Sequence, residues 1–422
     1  MTTDTPATGL QAYLSLFKRN RDFRLLYASQ IISLAGDWFL TVPLLDLVYR
    51  MTHSSTVVAL MVVSQTLPIF IFTPWAGATI DRSDRKRLMI VMEVARIGAA
   101  LLPLLSRSPH TLPFAFAGVI AISIGAAYFD PASNAALPNI VKPRDLGIAN
   151  VLMGSTWGTM LAVGAAAGGL VAGKFGSDVA FIIDAASFLL SALLLKAIRA
   201  PFSESRSPAD RVPLSEAMRQ TFHYARNHSR VLALLLAKGG FGVGGGVIVM
   251  LTLFGTKLAG EGAAGVGFLY AMRGLGALTG PFLIRALVKI DNHQYRTIGF
   301  CGIIFGLGYF GLALSPTLAI GGIAILMAHL GAGAQWITST YGLQKETPDY
   351  IRGRVFAVDY GLITLTMSAS SLLAGFIADK IGPSKTTICA ATISILWGLV
   401  WTLSTYKLWR EPGLTKRAEE HL

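Results

Sequence analysis

"GATIDRSDRKRLMI", residues 77–90, places six charges in the seven positions from Asp81 to Arg87, between two long apolar runs. Such a stretch is either a solvated loop between soluble helices or a short aqueous turn between two segments that leave water altogether. Composition decides between them. Only 14% of the 422 residues are charged, against about 25% in a typical soluble protein, and the mean hydropathy is +0.56. The chain belongs to the membrane class. Its net charge of +13 comes from basic residues scattered between apolar runs, which points to anionic lipid headgroups and away from nucleic acid.

Crossing a bilayer as a helix takes about 20 mostly apolar residues. Working outward from the charged turn, this rule predicts spans at roughly 25–49, 56–80, 88–106, 112–137, 147–173, 179–199, 230–257, 264–288, 297–314, 317–343, 355–379 and 384–406. The fold class expected is therefore an all-α membrane protein of twelve transmembrane helices. The long polar connection from Ala200 to Ser229, with Pro201, Pro208 and Pro213, splits the spans into two sets of six. The expected organisation is an N-terminal interfacial segment (1–23), a six-helix bundle (24–199), a linker (200–229), a second bundle (230–408) and a tail (409–422). Leu10, Tyr13, Leu14 and Phe17 recur at helical spacing ahead of Lys18, Arg19 and Arg21, as in a helix lying on a membrane surface. No short apolar segment with a small-residue cleavage site opens the chain, so the first span is expected to remain.

Charge bias fixes the expected orientation. If loops alternate sides, one side holds only Arg50, Arg107, Lys174, Lys257, Lys380 and Lys385. Arg96, Lys238 and Arg273 fall within spans, and the other 27 of the 36 Lys and Arg lie on the opposite side. Basic residues are retained in the cytoplasm, so both termini are expected there.

Charges inside spans need a pathway or a partner. Asp37 sits near the middle of span 1, and Gln30, Ser33 and Thr41 share its helical face. A polar stripe of this kind suggests a wall facing water or a bound molecule, or else a helix–helix hydrogen-bond seam. Span 4 carries Asp130 before Pro131, which opens the helical ladder; Asp130 either carries protons or pairs with a base. Glu93 and Arg96, three apart, are placed to neutralise one another, and Asp184 is expected to reach the interface near the end of span 6. In the second half, Lys238 precedes six glycines between Gly239 and Gly246, which either line a cavity or pack closely. Arg273, His329 and Asp359 lie within spans 8, 10 and 11. A lone histidine such as His329 is usually a hydrogen-bonded packing residue. Acids of one half, Asp37 or Asp130, are expected to face Lys238 or Arg273 of the other. Trp38, Met160, Phe241 and Trp336 are candidates for an adaptable apolar lining. Cys301 and Cys389 read as small buried hydrophobes, and the seven histidines form no metal set. No metal or cofactor is expected, and there is no Gly-x-x-x-x-Gly-Lys-Ser/Thr phosphate loop.

Two sets of six spans and the motif Gly77, Asp81, Arg82, Arg85 and Lys86 resemble the major facilitator superfamily, with Asp84 where the signature has glycine. "FDPASNAALPNIV", "FIIDAASFLLSALLL" and "RGRVFAVDYG" look like the efflux subgroup that includes macrolide, tetracycline-type multidrug and siderophore exporters. The resemblance implies two pseudo-symmetric six-helix bundles and proton-coupled export of amphipathic organic compounds by alternating access, from a monomer in a bacterial inner membrane. Its partners would be a small-molecule substrate, protons and membrane lipids. It also implies that Asp81 bears on Arg352, Gly353 and Arg354 as a latch, while the loop's basic residues meet acidic partners and lipid headgroups. Proton-coupling candidates are Asp37, Asp130 and Asp359. The alternatives are a dedicated siderophore exporter, a lysolipid flippase or, from another class, a membrane-embedded enzyme or sensor, against which the scattered reactive residues argue.

Overall fold

The computed structural model describes residues 10–142, 145–202, 214–259, 262–287, 290–347 and 349–409. Regular elements among them are all helical: α1 (Leu10–Arg19), α2 (Arg21–Thr52), α3 (Ser55–Arg82), α4 (Arg85–Leu101), α5 (Leu112–Ile140), α6 (Leu146–Phe175), α7 (Ser177–Ala197), α8 (Leu214–Asn227), α9 (Ser229–Ala237), α10 (Gly239–Gly244), α11 (Val247–Ala259), α12 (Ala263–Leu287), α13 (Ile290–Ala313), α14 (Leu318–Glu346), α15 (Asp349–Ile381) and α16 (Pro383–Thr405), with short 3-10 turns between some of them. Among the described residues, eleven stretches are long and apolar enough to cross a membrane. The twelfth expected span coincides with α12, whose 25 residues suffice in length; Arg273 and its glycines dilute its apolarity. Large apolar side chains face outward along these helices, Leu403 at 77% and Phe282 at 70% exposure, as lipid rather than water would favour.

The chain forms two compact units. The first comprises Met1–Leu44 and Pro68–Ala209. In it α4 packs chiefly on α5 and α7, and Phe23, Leu26, Met89, Phe129, Leu137 and Leu195 belong to one buried apolar cluster. Helix α1 is anchored there by Leu16, fully buried, and by Phe17 against Phe23 and Tyr27, while Leu14 points out.

The opening charged turn belongs to this unit, and its geometry is that of helix ends. Asp84 has φ −64° and ψ 112°. No left-handed backbone is needed where the family signature has glycine, and Asp84 accepts from the Arg87 amide at 2.7 Å as the N-cap of α4. Arg85 and Lys86 both donate to backbone carbonyls. Arg85 donates to the carbonyls of Ala135 and Phe202 at 2.8 and 3.1 Å, and Lys86 to those of Lys196 and Ile198 at 3.1 and 2.6 Å. The two Lys86 contacts lie at the end of α7, where carbonyls lack intrahelical donors and a cation is favoured. The side chains of Gly77, Asp81, Arg82, Arg352, Gly353 and Arg354 lie outside the described residues.

The second unit comprises Leu45–Leu67 and Asp210–Leu422. Within it, α12 and α13 pack on α14, and α13 also on α16. The hairpin joining α2 to α3 turns through His53, at φ +50°, and is clamped by Asp379 from the last turn of α15. That carboxylate accepts from the Ser55 and Thr56 amides at 2.6 and 3.0 Å and from the Ser54 and Thr56 hydroxyls at 2.8 and 2.7 Å. Asp46, with only 1% exposure, accepts from Thr256 at 3.0 Å and pairs with Arg50.

Replacing Asp84 by alanine should lower stability by about 1 kcal/mol and by glycine only a few tenths, as for other N-caps. Thermal unfolding of the purified variants measures the difference; equal losses would remove the capping role.

Candidate functional site

The first unit holds a cavity of about 350 Å³ bordered by α2, α4, α5 and α6. Gln30, Ser33 and Asp37 of α2 line it, as their shared face predicts, together with Asp130 and Asn134 of α5 and Trp157 of α6. Thr41, one turn beyond Asp37, is not among the lining residues. Phe129 and Met153 supply apolar wall.

Arg96 organises the polar side of the cavity. Its guanidinium donates to both oxygens of Asp37, at 2.7 and 2.9 Å, and to Glu93 Oε1 and Ser33 Oγ, each at 3.0 Å. Asp37 is 25% exposed at its side chain, whereas Arg96 and Glu93 are 3% and 0%. The open member of the network is thus the carboxylate, and the cation stands behind it. Helix geometry explains the set: Glu93 and Arg96 lie three apart on α4, and the Ser33–Asp37 edge of α2 meets them. One terminal nitrogen, Nη2, holds both Asp37 oxygens while Nη1 serves Glu93 and Ser33, a division of donors that the planar guanidinium allows. Arg96 also lies 4.1 Å over the Phe188 ring of α7. Asp130 faces the cavity with no hydrogen bond or ion pair among the described residues and feels Arg96 only through space.

One guanidinium therefore faces four carboxylates: Asp37, Glu93, Asp130 and Asp184. Asp184 does not reach the interface as expected. It is fully buried, because Gly36 of α2 leaves space for it; a Cβ at position 36 would lie 2.5 Å from its Oδ1. The sequence signal was that glycine beside Asp37, which the polar stripe overshadowed.

The second unit has its own charge pair. Lys238, at the break between α9 and α10, pairs with Asp359 of α15, with both side chains at most 6% exposed. Thr340 accepts from Lys238 at 3.4 Å, and the Trp336 ring lies 4.4 Å from its Nζ. Two of the acids thus find a base within their own unit, Asp37 in Arg96 and Asp359 in Lys238. The reason is proximity along packed helices, which single-span reading does not reveal. The glycines after Lys238 are packing residues. A Cβ on Gly242 would sit 2.1 Å from Thr366 Oγ1, and one on Gly246 would sit 2.2 Å from the Ser370 carbonyl. Phe241 packs between Phe305 and Trp336. His329 is buried and bonded to Tyr309 Oη at 2.9 Å, and Arg273 is buried with Tyr270 5.7 Å away. Trp38 is packed against Gly164. Cys389 is exposed, unlike Cys301, because it faces out from α16. No group of three or more His, Cys, Asp or Glu among the described residues is placed to hold a metal.

The sequence profile of a family described as transmembrane secretion effector matches residues 14–418. The chain is 23% identical to a putative bacilysin exporter of Bacillus subtilis (strain 168), over 85% of this chain and 88% of that protein. It is 22% identical to macrolide efflux protein A of Streptococcus pyogenes, over 90% and 94% respectively. In fold it is similar to a bacterial homologue of the human lysosomal transporter Spinster, in an inward-facing and unoccupied conformation. The TM-score is 0.71 at 15% identity, with 94% of this chain and 98% of that one covered.

Removing Arg96 leaves Glu93 buried without its cation, and breaking a buried pair in this way typically destabilises by about 3–5 kcal/mol. Arg96→Ala should accumulate poorly and melt early, and Arg96→Lys should recover only part of the loss because it has no fork. Size-exclusion profiles and melting curves read both; wild-type melting in Arg96→Ala would show that the network is dispensable.

Proposed function

The chain belongs to the transmembrane secretion effector family of the major facilitator superfamily, and on that premise we propose that it exports amphipathic organic molecules by alternating access, driven by protons. The observation that carries the proposal is the surplus of carboxylates around the cavity of the first unit. Arg96 neutralises one of them, and the remaining negative charge beside an apolar wall is met by protons or by a cationic group. Asp37 is the first candidate to carry the proton, being at once ion-paired and open to the cavity; Asp130, unpaired, is the second. Asp359 is the equivalent acid in the second unit. A cavity of about 350 Å³ lies at the lower end of the usual range for small-molecule sites.

The energetics are adequate. One proton moving down about 100 mV releases about 2.3 kcal/mol, enough for a substrate gradient of about 50-fold. Asp37 protonated loses its attraction for Arg96; Asp37 ionised regains it. The proton thereby alters which arrangement of the unit is favoured, and that bias is all a coupled exchange requires. The shared signature adds a latch, in which Asp81 bears on the Arg352–Arg354 segment and holds one of the two alternating states. Both termini lie in the cytoplasm, according to the charge bias, and the membrane is the bacterial inner membrane.

The similarity to a putative bacilysin exporter favours a second version, in which a single molecule is exported. Competition among unrelated compounds for transport separates the two: mutual inhibition supports broad specificity, and its absence supports dedicated export.

Reconstitution into liposomes with an imposed pH gradient, scored by proton flux against a panel of amphipathic compounds, is the test. Asp37→Asn should abolish gradient-driven export while the protein still inserts; undiminished coupled export would remove Asp37 as carrier. Asp81→Asn should lower transport with normal accumulation, and wild-type rates in that variant would dispose of the latch.

A further inference from the structure

Asp184 is the charged group the proposed cycle leaves unused, and its surroundings are unusual. Its side chain is completely buried on α7. Only the Ser187 hydroxyl stands near Oδ1, at a long 3.4 Å and with its one proton directed to the Asp184 carbonyl at 2.7 Å, and Oδ2 has no hydrogen-bond partner. A buried acceptor left unmade costs about 1–3 kcal/mol, more when charged, so it is retained for a reason other than the arrangement seen here.

A matching deficit lies close by. Arg96 uses its two terminal nitrogens on Asp37, Glu93 and Ser33, but its Nε is buried without a partner. The centre of its guanidinium lies 4.1 Å from the Phe188 ring, and Phe188 is one turn from Asp184 on the same helix. The charged groups facing Arg96 are Asp37 from α2, Glu93 from its own helix, Asp130 from α5 and Asp184 from α7. A buried carboxyl oxygen on α7 and a buried guanidinium nitrogen beside Phe188, one turn further along the same helix, thus each stand without a hydrogen-bond partner.

We propose that Asp184 is the second counter-ion of Arg96: the guanidinium rests on Asp37 when that carboxylate is ionised and shifts along the Phe188 face to Asp184 when Asp37 takes up a proton. Glu93 remains its partner in both positions, so the cation is never left bare in the membrane. One proton serves both carboxyls: it lies on Asp184 while Arg96 rests on Asp37 and on Asp37 while Arg96 rests on Asp184, so the buried acid without the cation is always the neutral one and Arg96 keeps its charge throughout. Asp184 is a positioning residue. It converts one protonation into a displacement between α2 and α7, two helices held close by Gly36. The proposal deepens the proton-coupled reading and rests on it for its purpose, but its physical content is testable without transport.

The test is a double-mutant cycle read by melting temperature on the purified full-length chain, with Asp37→Asn standing for the protonated carboxyl. In the wild-type background Asp184→Asn removes an unsatisfied buried carboxyl and should leave the melting temperature unchanged or raise it. In the Asp37→Asn background the same substitution removes the ion now holding Arg96, and should lower it by about 2–4 °C. An equal shift in both backgrounds overturns the exchange. If Asp184→Asn does not accumulate, Gly36→Ala keeps every charge but displaces Asp184, and its loss must be larger in the Asp37→Asn background; an equal loss again overturns it. A structure of Asp37→Asn should show Arg96 within hydrogen-bond distance of Asp184, and Arg96 still seated on residue 37 would refute the proposal. A coupled melting shift without proton-driven export would uphold the exchange while removing proton coupling, which keeps the two failures distinct.

Discussion

A guanidinium held inside a bundle that lipid surrounds is the constraint around which the first unit is arranged. Placing Arg at the centre of a spanning helix costs about 2.5–3.5 kcal/mol even on the mildest scales, so the neighbouring helices must supply acceptors. Asp37, Glu93 and Ser33 do so, and Phe188 covers the face of the cation. Space is provided by glycines: a Cβ on Gly125 of α5 would stand 2.8 Å from the Arg96 stem, and one on Gly36 would strike Ser187. Small residues and charges in these spans are therefore one design, because the glycines let helices approach closely enough for charges to meet.

The second unit meets the same constraint differently. Its lysine sits where the helix is interrupted, between α9 and α10, and is paired across to α15. The interruption is filled by close packing of glycine backbone against Trp397, Thr366 and Ser370. Serine and threonine hydroxyls take up backbone carbonyls there: Ser370 donates to the Gly242 carbonyl at 2.7 Å and Ser394 to that of Gly240 at 3.1 Å. Backbone polar groups left by a broken membrane helix require such partners.

Charges outside the apolar zone are mostly spent on helix ends. Asp84 caps the start of α4, and Lys86 donates to the closing carbonyls at the end of α7. Asp379 stands in the last turn of α15, where its own helix dipole disfavours it, and it is repaid by four donors at the start of α3.

The sequence by itself determined that the chain is a membrane protein of long helices, where those helices run, and which of their residues carry costly charge. Local hydrophobicity and length suffice for that, since each apolar run must cross lipid regardless of its neighbours. It also made the Gln30–Ser33–Asp37 face and the Glu93–Arg96 pair legible, because both follow from helical spacing alone. The tertiary structure decided the rest. Asp37 belongs to Arg96, fifty-nine residues away, Lys238 to Asp359, and Asp184 is buried instead of interfacial, because helix–helix packing, not spacing along the chain, selects which charges share one dry pocket. It also decided the use of the charged turn of residues 81–87: Asp84 caps its own helix locally, and only the packing of α4 against α5 and α7 gave Arg85 and Lys86 their backbone carbonyls.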